Sequence, residues 1–298
     1  MRILLLGNTG QLGWELERTL TPLGEVVALD YPAVNLLDEA STRQAVRGVV
    51  PHVIVNATGY TAVDKAESEP DKAAAINTRA PAILAEEART LGAALIHYST
   101  DYVFDGLKGS PYVESDAPNP LGVYAQTKLA GEQAVQQTGG AFLILRLSWM
   151  YSLRRDSFVT KVLGWSRQQR SLRMVTDQIG NPIWARTAAE ATAQLLAMGS
   201  ANTVSSTGIV PWLAERSGLY HFVGPDHASR YEWAQAILRL DPRRTEQVTE
   251  KVLPALTNEF PTPARRPLFS ALGCQRFVDT FGLRLPPWET ALRLAMEI

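Results

Sequence analysis

The chain has 298 residues, 46% of them apolar and 20% charged, values of a globular chain with one large domain or two closely joined ones rather than of a disordered one. Its formal net charge of −1 leaves no electrostatic footprint for nucleic acid or an anionic membrane, so a phosphate-bearing ligand has to be held by local groups. Cys274 is the single cysteine and the apolar run Ile3–Leu6 is too short for a signal peptide or membrane span, so disulfides within the chain and a cysteine-based zinc site are excluded, and a soluble protein of a reducing cytoplasm is expected.

Arg2–Leu6 is a continuous apolar run ending at a glycine, the pattern of a strand covered on both faces. Gly7-Asn-Thr-Gly10-Gln11-Leu12-Gly13 follows, and Trp14–Leu20 reads as helix. Strand, glycine-rich turn and helix form the setting that a dinucleotide site requires. The glycines permit a tight turn and a close approach of backbone to pyrophosphate, and the helix N-terminus faces the phosphates. The spacing is G-x-x-G-x-x-G rather than G-x-G-x-x-G. A second strand, Glu25–Leu29, ends at Asp30. A carboxylate there accepts hydrogen bonds from the adenosine ribose hydroxyls and repels a 2′-phosphate. Tyr31 and Pro32 bring no cation, so NADH is favoured over NADPH, which stays open.

Leu37–Val46 reads as helix and Val53–Ala57 as a third buried strand, with Gly59, Tyr60 and Thr61 beyond its carboxyl end. Asp64–Glu69 reads as a solvated helix start, and Asp71–Leu91 as one long alanine-rich helix. Ala93–Ser99 is a fourth strand, running into Thr100, Asp101 and Tyr102. Tyr124-Ala-Gln-Thr-Lys128 places a phenol and an ammonium one turn apart on one helix face. A neighbouring cation lowers a phenol from its ordinary value near ~10, and carbonyl reduction needs such a proton donor as the oxygen becomes an alkoxide. In an open parallel sheet, ligands sit outside the carboxyl ends of the strands, so Gly10, Gly59, Thr100 and the start of the Tyr124 helix are expected on one rim.

Phe142–Leu147 is a fifth strand, leading into Ser148 and Trp149. Beyond it, Phe158–Gln169 and Thr187–Met198 read as helices, Asp177–Pro182 as a turn, Ala201–Gly208 as a surface loop, Gly218–Val223 as a strand and Trp288–Ile298 as a terminal helix. The expected fold is α/β: a doubly wound, Rossmann-type parallel sheet in residues 1–150, with a strand at 219–223 returning to it. A smaller C-terminal α/β substrate-binding region is expected in 151–217 and 225–298.

Gly7, Gly10, Gly13, Thr100, Tyr124 and Lys128 together resemble the extended short-chain dehydrogenase/reductase family. The strings Thr61-Ala-Val-Asp-Lys-Ala-Glu-Ser-Glu-Pro70, Ser99-Thr-Asp-Tyr-Val-Phe104 and Tyr124-x-x-Thr-Lys-Leu-Ala-Gly-Glu132 are more specific than the glycines. With Tyr220-His221, Pro261-Thr-Pro263 and Pro287-Trp-Glu289 they carry the resemblance along the whole chain. It implies reduction of the C4 ketone of a nucleotide-linked 6-deoxy sugar by hydride from a nicotinamide, and points to thymidine and rhamnose. Tyr124 becomes the proton donor, with Lys128 and Thr100 assisting. The cofactor would meet Gly7, Gly10, Gln11, Leu12, Gly13, Asp30, Asn35, Leu36, Gly59, Tyr60 and Thr61, besides Tyr124 and Lys128. The sugar nucleotide would meet Thr100, Asp101, Tyr102 and Trp149, with Arg266 as a cation for its diphosphate.

Some family members hold a divalent ion between subunits through glutamates. Glu15 and Glu289 match two of those positions, but Arg186 stands where a third carboxylate belongs, so no metal is expected and a homodimer stays open. The rival readings on a nucleotide sugar are a 4,6-dehydratase or a 4-epimerase, either of which would retain and regenerate its NAD. A dehydratase would also need an Asp-Glu pair after the threonine, whereas Tyr102 follows Asp101 here. A non-catalytic relative would have no need of an intact Thr100, Tyr124 and Lys128.

Overall fold

The computed structural model describes residues 1–201 and 208–297. Its spine is a parallel six-stranded sheet of β1 (Arg2–Leu6), β2 (Glu25–Leu29), β3 (Val53–Asn56), β4 (Ala94–Thr100), β5 (Ala141–Leu147) and β6 (Gly218–His221), in the order β6-β5-β4-β3-β1-β2. Alternation along β1 explains why its run is apolar throughout. Ile3 and Leu5 enter the core on one face, Leu4 and Leu6 the core on the other, and all are fully buried. Helix α1 (Gln11–Leu20) covers the Ile3 face; α2 (Glu39–Val49), α3 (Ala80–Leu91) and α4 (Val123–Thr138) cover the Leu4 face. The chain leaves β1 for β2 on one side and β3 on the other, so the topological switch point lies between β1 and β3.

The expected long helix 71–91 is interrupted. Pro70–Ala74 gives way to a wide π turn, Ala75–Arg79, before α3 begins. Asn77 supplies the reason. Its side chain accepts from the Tyr60 amide at 2.8 Å and donates to the Tyr60 carbonyl at 3.2 Å and to Thr127 Oγ1 at 3.1 Å. A Cβ added at Gly131 of α4 would lie 2.1 Å from the Asn77 carbonyl oxygen. The π turn thus clamps the loop after β3 to α4, a use typical of π bulges near functional sites.

A second core gathers around fully buried Trp233, from α5 (Phe158–Ser166), α7 (Arg230–Leu240, numbered after α6, Ala185–Ala201) and α8 (Trp288–Met296). Short parallel strands Ser171–Val175 and Lys251–Ala255 flank it. Helix α6, Ile209–Ala214 and Gln275–Phe281 instead pack on the Ile3 face of the main sheet, contributing Leu195, Leu213, Phe277 and Phe281. The expected turn at Asp177–Pro182 carries a two-residue strand, Ile179–Gly180, paired with Ala228–Ser229. The expected loop Ala201–Gly208 lies, for residues 202–207, outside the described residues.

Candidate active site

A cavity of about 710 Å³ opens at the carboxyl ends of the strands, a size suited to a small-molecule ligand. Gly10, Gln11, Leu12, Gly59 and Thr61 line it from the β1 and β3 ends. Thr100, Asp101 and Tyr102 reach it from β4, Tyr124 and Lys128 from α4, and Trp149 from the end of β5.

The β1–α1 turn is shaped by glycine. Gly7 has φ 85°, and a Cβ on Gly13 would lie 1.9 Å from the Gly7 carbonyl oxygen. Both serve the close packing of helix on turn, and neither lines the cavity. Gly10 is the N-cap of α1 and gives it no side-chain cap, so the first amides are left facing the cavity, as a bound pyrophosphate requires. Gln11 Oε1 and Ser99 Oγ, in the same wall, are buried without a partner. The free amides and the Ser99 hydroxyl as donors, with Gln11 Oε1 as an acceptor, fit a nicotinamide dinucleotide.

Asp30 closes β2 beside that turn, accepting from Thr9 Oγ1 at 2.5 Å and from the Tyr31 amide at 2.8 Å. Asn35 and Leu36 stand off from the cavity: the Asn35 side chain accepts from the Leu37 amide at 3.1 Å, and Leu36 packs on the Leu4-face core. Gly59 and Thr61 face the cavity, but Tyr60 turns away into a small cluster with Ala66 and Ala73, its hydroxyl donating to Glu69 at 2.8 Å.

Lys128 Nζ donates to the Tyr98 carbonyl at 2.6 Å and lies 3.5 Å from His97 Nε2. Burial pulls its ammonium down to about 8, while the Glu132 charge opposes the shift. His97 is wholly buried, with Asn56 Nδ2 3.1 Å from Nδ1, and burial followed by the Lys128 charge keeps its ring neutral. Burial raises the Tyr124 phenol well above its ordinary value, with the Thr100 hydroxyl working in the opposite direction. The expected cation-lowered phenol is therefore not found. The ammonium is committed to a strand carbonyl, and desolvation dominates at Tyr124.

Asp101 sits in a nest of hydroxyls. Ser148 donates at 2.8 Å and Thr100 at 3.2 Å, with Ser270 on the same oxygen as Ser148. Burial raises its carboxyl to about 6 against those three donors. The Tyr102 ring meets Tyr124 edge-on, centroids 6.1 Å apart. Trp149 has φ 41°, a left-handed conformation that is uncommon and strained for a bulky residue. Its indole stacks on Trp233 at 5.7 Å and lies over Gly180, where a Cβ would come within 2.6 Å of the ring.

Arg266 does not line the cavity. Its two terminal nitrogens meet the Asp64 carboxylate at 3.0 and 2.7 Å, and its remaining neighbours include the Tyr102 hydroxyl. Besides Lys128, the cations of the wall are Arg230, absent from the sequence reading, and Arg155 at the outer lip. Only the Ser229–Glu232 capping box signalled a helix start there. The pairing of Ala228–Ser229 with Ile179–Gly180 brings Arg230 to the cavity, and nothing local in the sequence encodes that. At the matched glutamates, Arg186 lies 3.8 Å from Glu15, and Glu289 pairs with Arg239. Burial raises the Glu15 carboxyl, with Arg186 opposing.

A family profile described as RmlD substrate binding domain matches residues 1–298. A curated protein of Burkholderia thailandensis, named dTDP-4-dehydrorhamnose reductase, is 38% identical over 300 aligned positions, covering 100% of this chain and 98% of its own. A Clostridium acetobutylicum structure of that name is 30% identical, with a TM-score of 0.88, and covers 100% of this chain and 99% of its own. A Bacillus anthracis structure of that name, in complex with NADP, is 28% identical with a TM-score of 0.86 over 99% and 98%. With the sheet, the glycine turn and the Thr100–Tyr124–Lys128 wall in place, these matches decide the assignment: the chain belongs to the RmlD family, whose named members here are dTDP-4-dehydrorhamnose reductases.

Proposed function

We propose that the protein catalyses the NAD(P)H-dependent reduction of the C4 ketone of dTDP-4-dehydro-L-rhamnose to dTDP-L-rhamnose. The observation that carries this reading is one cavity holding Thr100, Tyr124 and Lys128 beside an uncapped, glycine-shaped helix start. The names of the full-length relatives support it, and the Bacillus anthracis complex supports a nicotinamide coenzyme.

Gly10, Gln11 and Leu12 would hold the pyrophosphate, with Asp30 at the adenosine ribose and Gly59 and Thr61 nearer the reactive end. When bound, the coenzyme supplies the hydride that C4 gains. Tyr124 donates the phenolic proton to the carbonyl oxygen as it takes on negative charge, and the product is a secondary alcohol. The buried phenol is fully protonated at neutral pH, so it starts as an acid. Thr100 turns its one hydroxyl proton from Asp101 to the same oxygen. Lys128, charged below about 8 and anchored on the Tyr98 carbonyl, would hold the nicotinamide ribose, and solvent returns the proton to Tyr124 after each turnover. A positioned proton donor of this kind is worth ~10²–10⁴-fold in rate. Tyr102 and Trp149 contact the sugar nucleotide, and Asp101 sets the rotamer of Thr100.

Residues 1–150 with β6 bind the dinucleotide, and 151–217 with 225–298 complete the sugar-nucleotide side, α6 serving as backing for the sheet. A homodimer and a cytoplasmic location go with this reading; sedimentation and cell fractionation check them. The reaction itself is tested by absorbance at the reduced-nicotinamide band, with the 4-keto sugar nucleotide generated in situ. Sugar-dependent oxidation of added coenzyme is expected; tightly held nucleotide that is recycled without net consumption would exclude a reductase.

A further inference from the structure

We propose that Arg230 is the cation that receives a diphosphate in this cavity, and that this diphosphate belongs to the substrate rather than to the coenzyme. The assignment rests on the reductase reading above.

Arg230 is the first residue of α7 and lines the cavity. Its guanidinium carbon lies 3.6 Å from the centre of the Trp149 ring, 4.8 Å from Phe158 and 5.4 Å from Trp233. Aromatic faces hold the flat of a guanidinium and leave its N–H edge free to donate in the plane. The Tyr102 hydroxyl neighbours that edge, and Asp101 is the carboxylate whose charge reaches it. That carboxylate is already bound by three hydroxyls. Among the described residues Arg230 forms no ion pair. A half-buried cation with no ion pair is costly to hold, and an anionic ligand removes that cost.

The alternative cations are engaged or misplaced. Arg266 is taken by Asp64 through both terminal nitrogens. Arg155 is exposed and neighbours Asp156, whose carbonyl accepts from Gln11 at 3.5 Å, so it belongs to the coenzyme end. Arg230 stands with Tyr102 and Trp149, the groups on the sugar-nucleotide side. A guanidinium edge matches the paired oxygens of a diphosphate.

Calorimetric titration of the whole protein with thymidine diphosphate, and separately with NADH, distinguishes the two sources and needs no turnover. Arg230→Met is expected to weaken thymidine diphosphate at least tenfold and to leave NADH within twofold. Arg230→Gln, which keeps length and an amide donor but no charge, is judged by the same thresholds should the methionine variant fail to fold. Unchanged thymidine diphosphate binding in a folded variant overturns the proposal, as does an equal loss of NADH. Failure of the reductase reading would show differently, as wild-type protein that consumes no coenzyme with the keto sugar.

Discussion

At Tyr124 two opposing effects meet, and their balance sets what the phenol can do. Burial keeps it protonated, so it enters the reaction as a donor. Tyr124→Phe removes that proton and leaves the ring in place. Turnover is expected to fall ~10²–10⁴-fold with NADH affinity nearly unchanged, as measured by steady-state kinetics and fluorescence titration; turnover within tenfold of wild type removes Tyr124 from the proton step. Lys128 has a stability signature of its own. Its ammonium has a value of 10.5 when solvated and about 8 in the fold. Between these the unfolded chain holds more protons, so stability rises with pH across that window. Below pH 8 the full cost of the buried charge is present. Lys128→Met carries no such cost, so its stability advantage over wild type is expected to shrink by about 2–3 kcal/mol between pH 8 and 10. Urea denaturation at the two pH values checks this, and a constant difference would refute it. Tyr124, Lys128 and Thr100 were legible because their spacing and their place at strand ends are local properties. Arg230 was not, since its setting depends on strand pairing between 179–180 and 228–229. Arg266 misled for a related reason: its partner, Asp64, lies 202 positions away in sequence.

Among the elements, the strands were the most readable. Most strands are dominated by apolar residues, with β1 apolar from Ile3 to Leu6, and β2 was expected with the bounds it has. The helix 71–91 was readable in extent but not in form. Alanine-rich sequence favours an unbroken α-helix, and only the tertiary bonds of Asn77 to Tyr60 and Thr127 show why a π turn interrupts it. That turn fixes the height of α4 over the sheet, and Gly131 is where the two backbones meet. Gly131→Ala forces the helix outward, carrying Tyr124 and Lys128 with it. A loss of about 1–3 kcal/mol of stability is expected from overpacking, together with a fall in kcat of tenfold or more from misplacement. Thermal unfolding and single-turnover rates test the pair of effects. Loss of stability with kcat intact would show that α4 does not set the position of the site.

For the molecule as a whole, the decisive fact is that the chain returns late to its first sheet. Phe277 and Phe281 pack on the face covered by α1, and Arg266 bridges to Asp64 in the N-terminal half. One cooperative transition, coincident by circular dichroism and fluorescence, is therefore expected. NADH at one hundred times its Kd adds about 2.7 kcal/mol to it, seen as a rise in Tm; an unmoved Tm would mean that the native fold holds no such site. This interleaving was the least legible feature, because composition marks where regularity weakens but not which later helices rejoin an earlier layer. Trp149 carries a practical corollary. Its indole belongs to the cavity wall and is stacked on Trp233, so the pair's ultraviolet emission arises beside the proposed seat of a dihydronicotinamide, which absorbs in that band. Occupancy can thus be followed as dimming of the protein's own light and brightening of the coenzyme's, a readout that asks for neither label nor sugar.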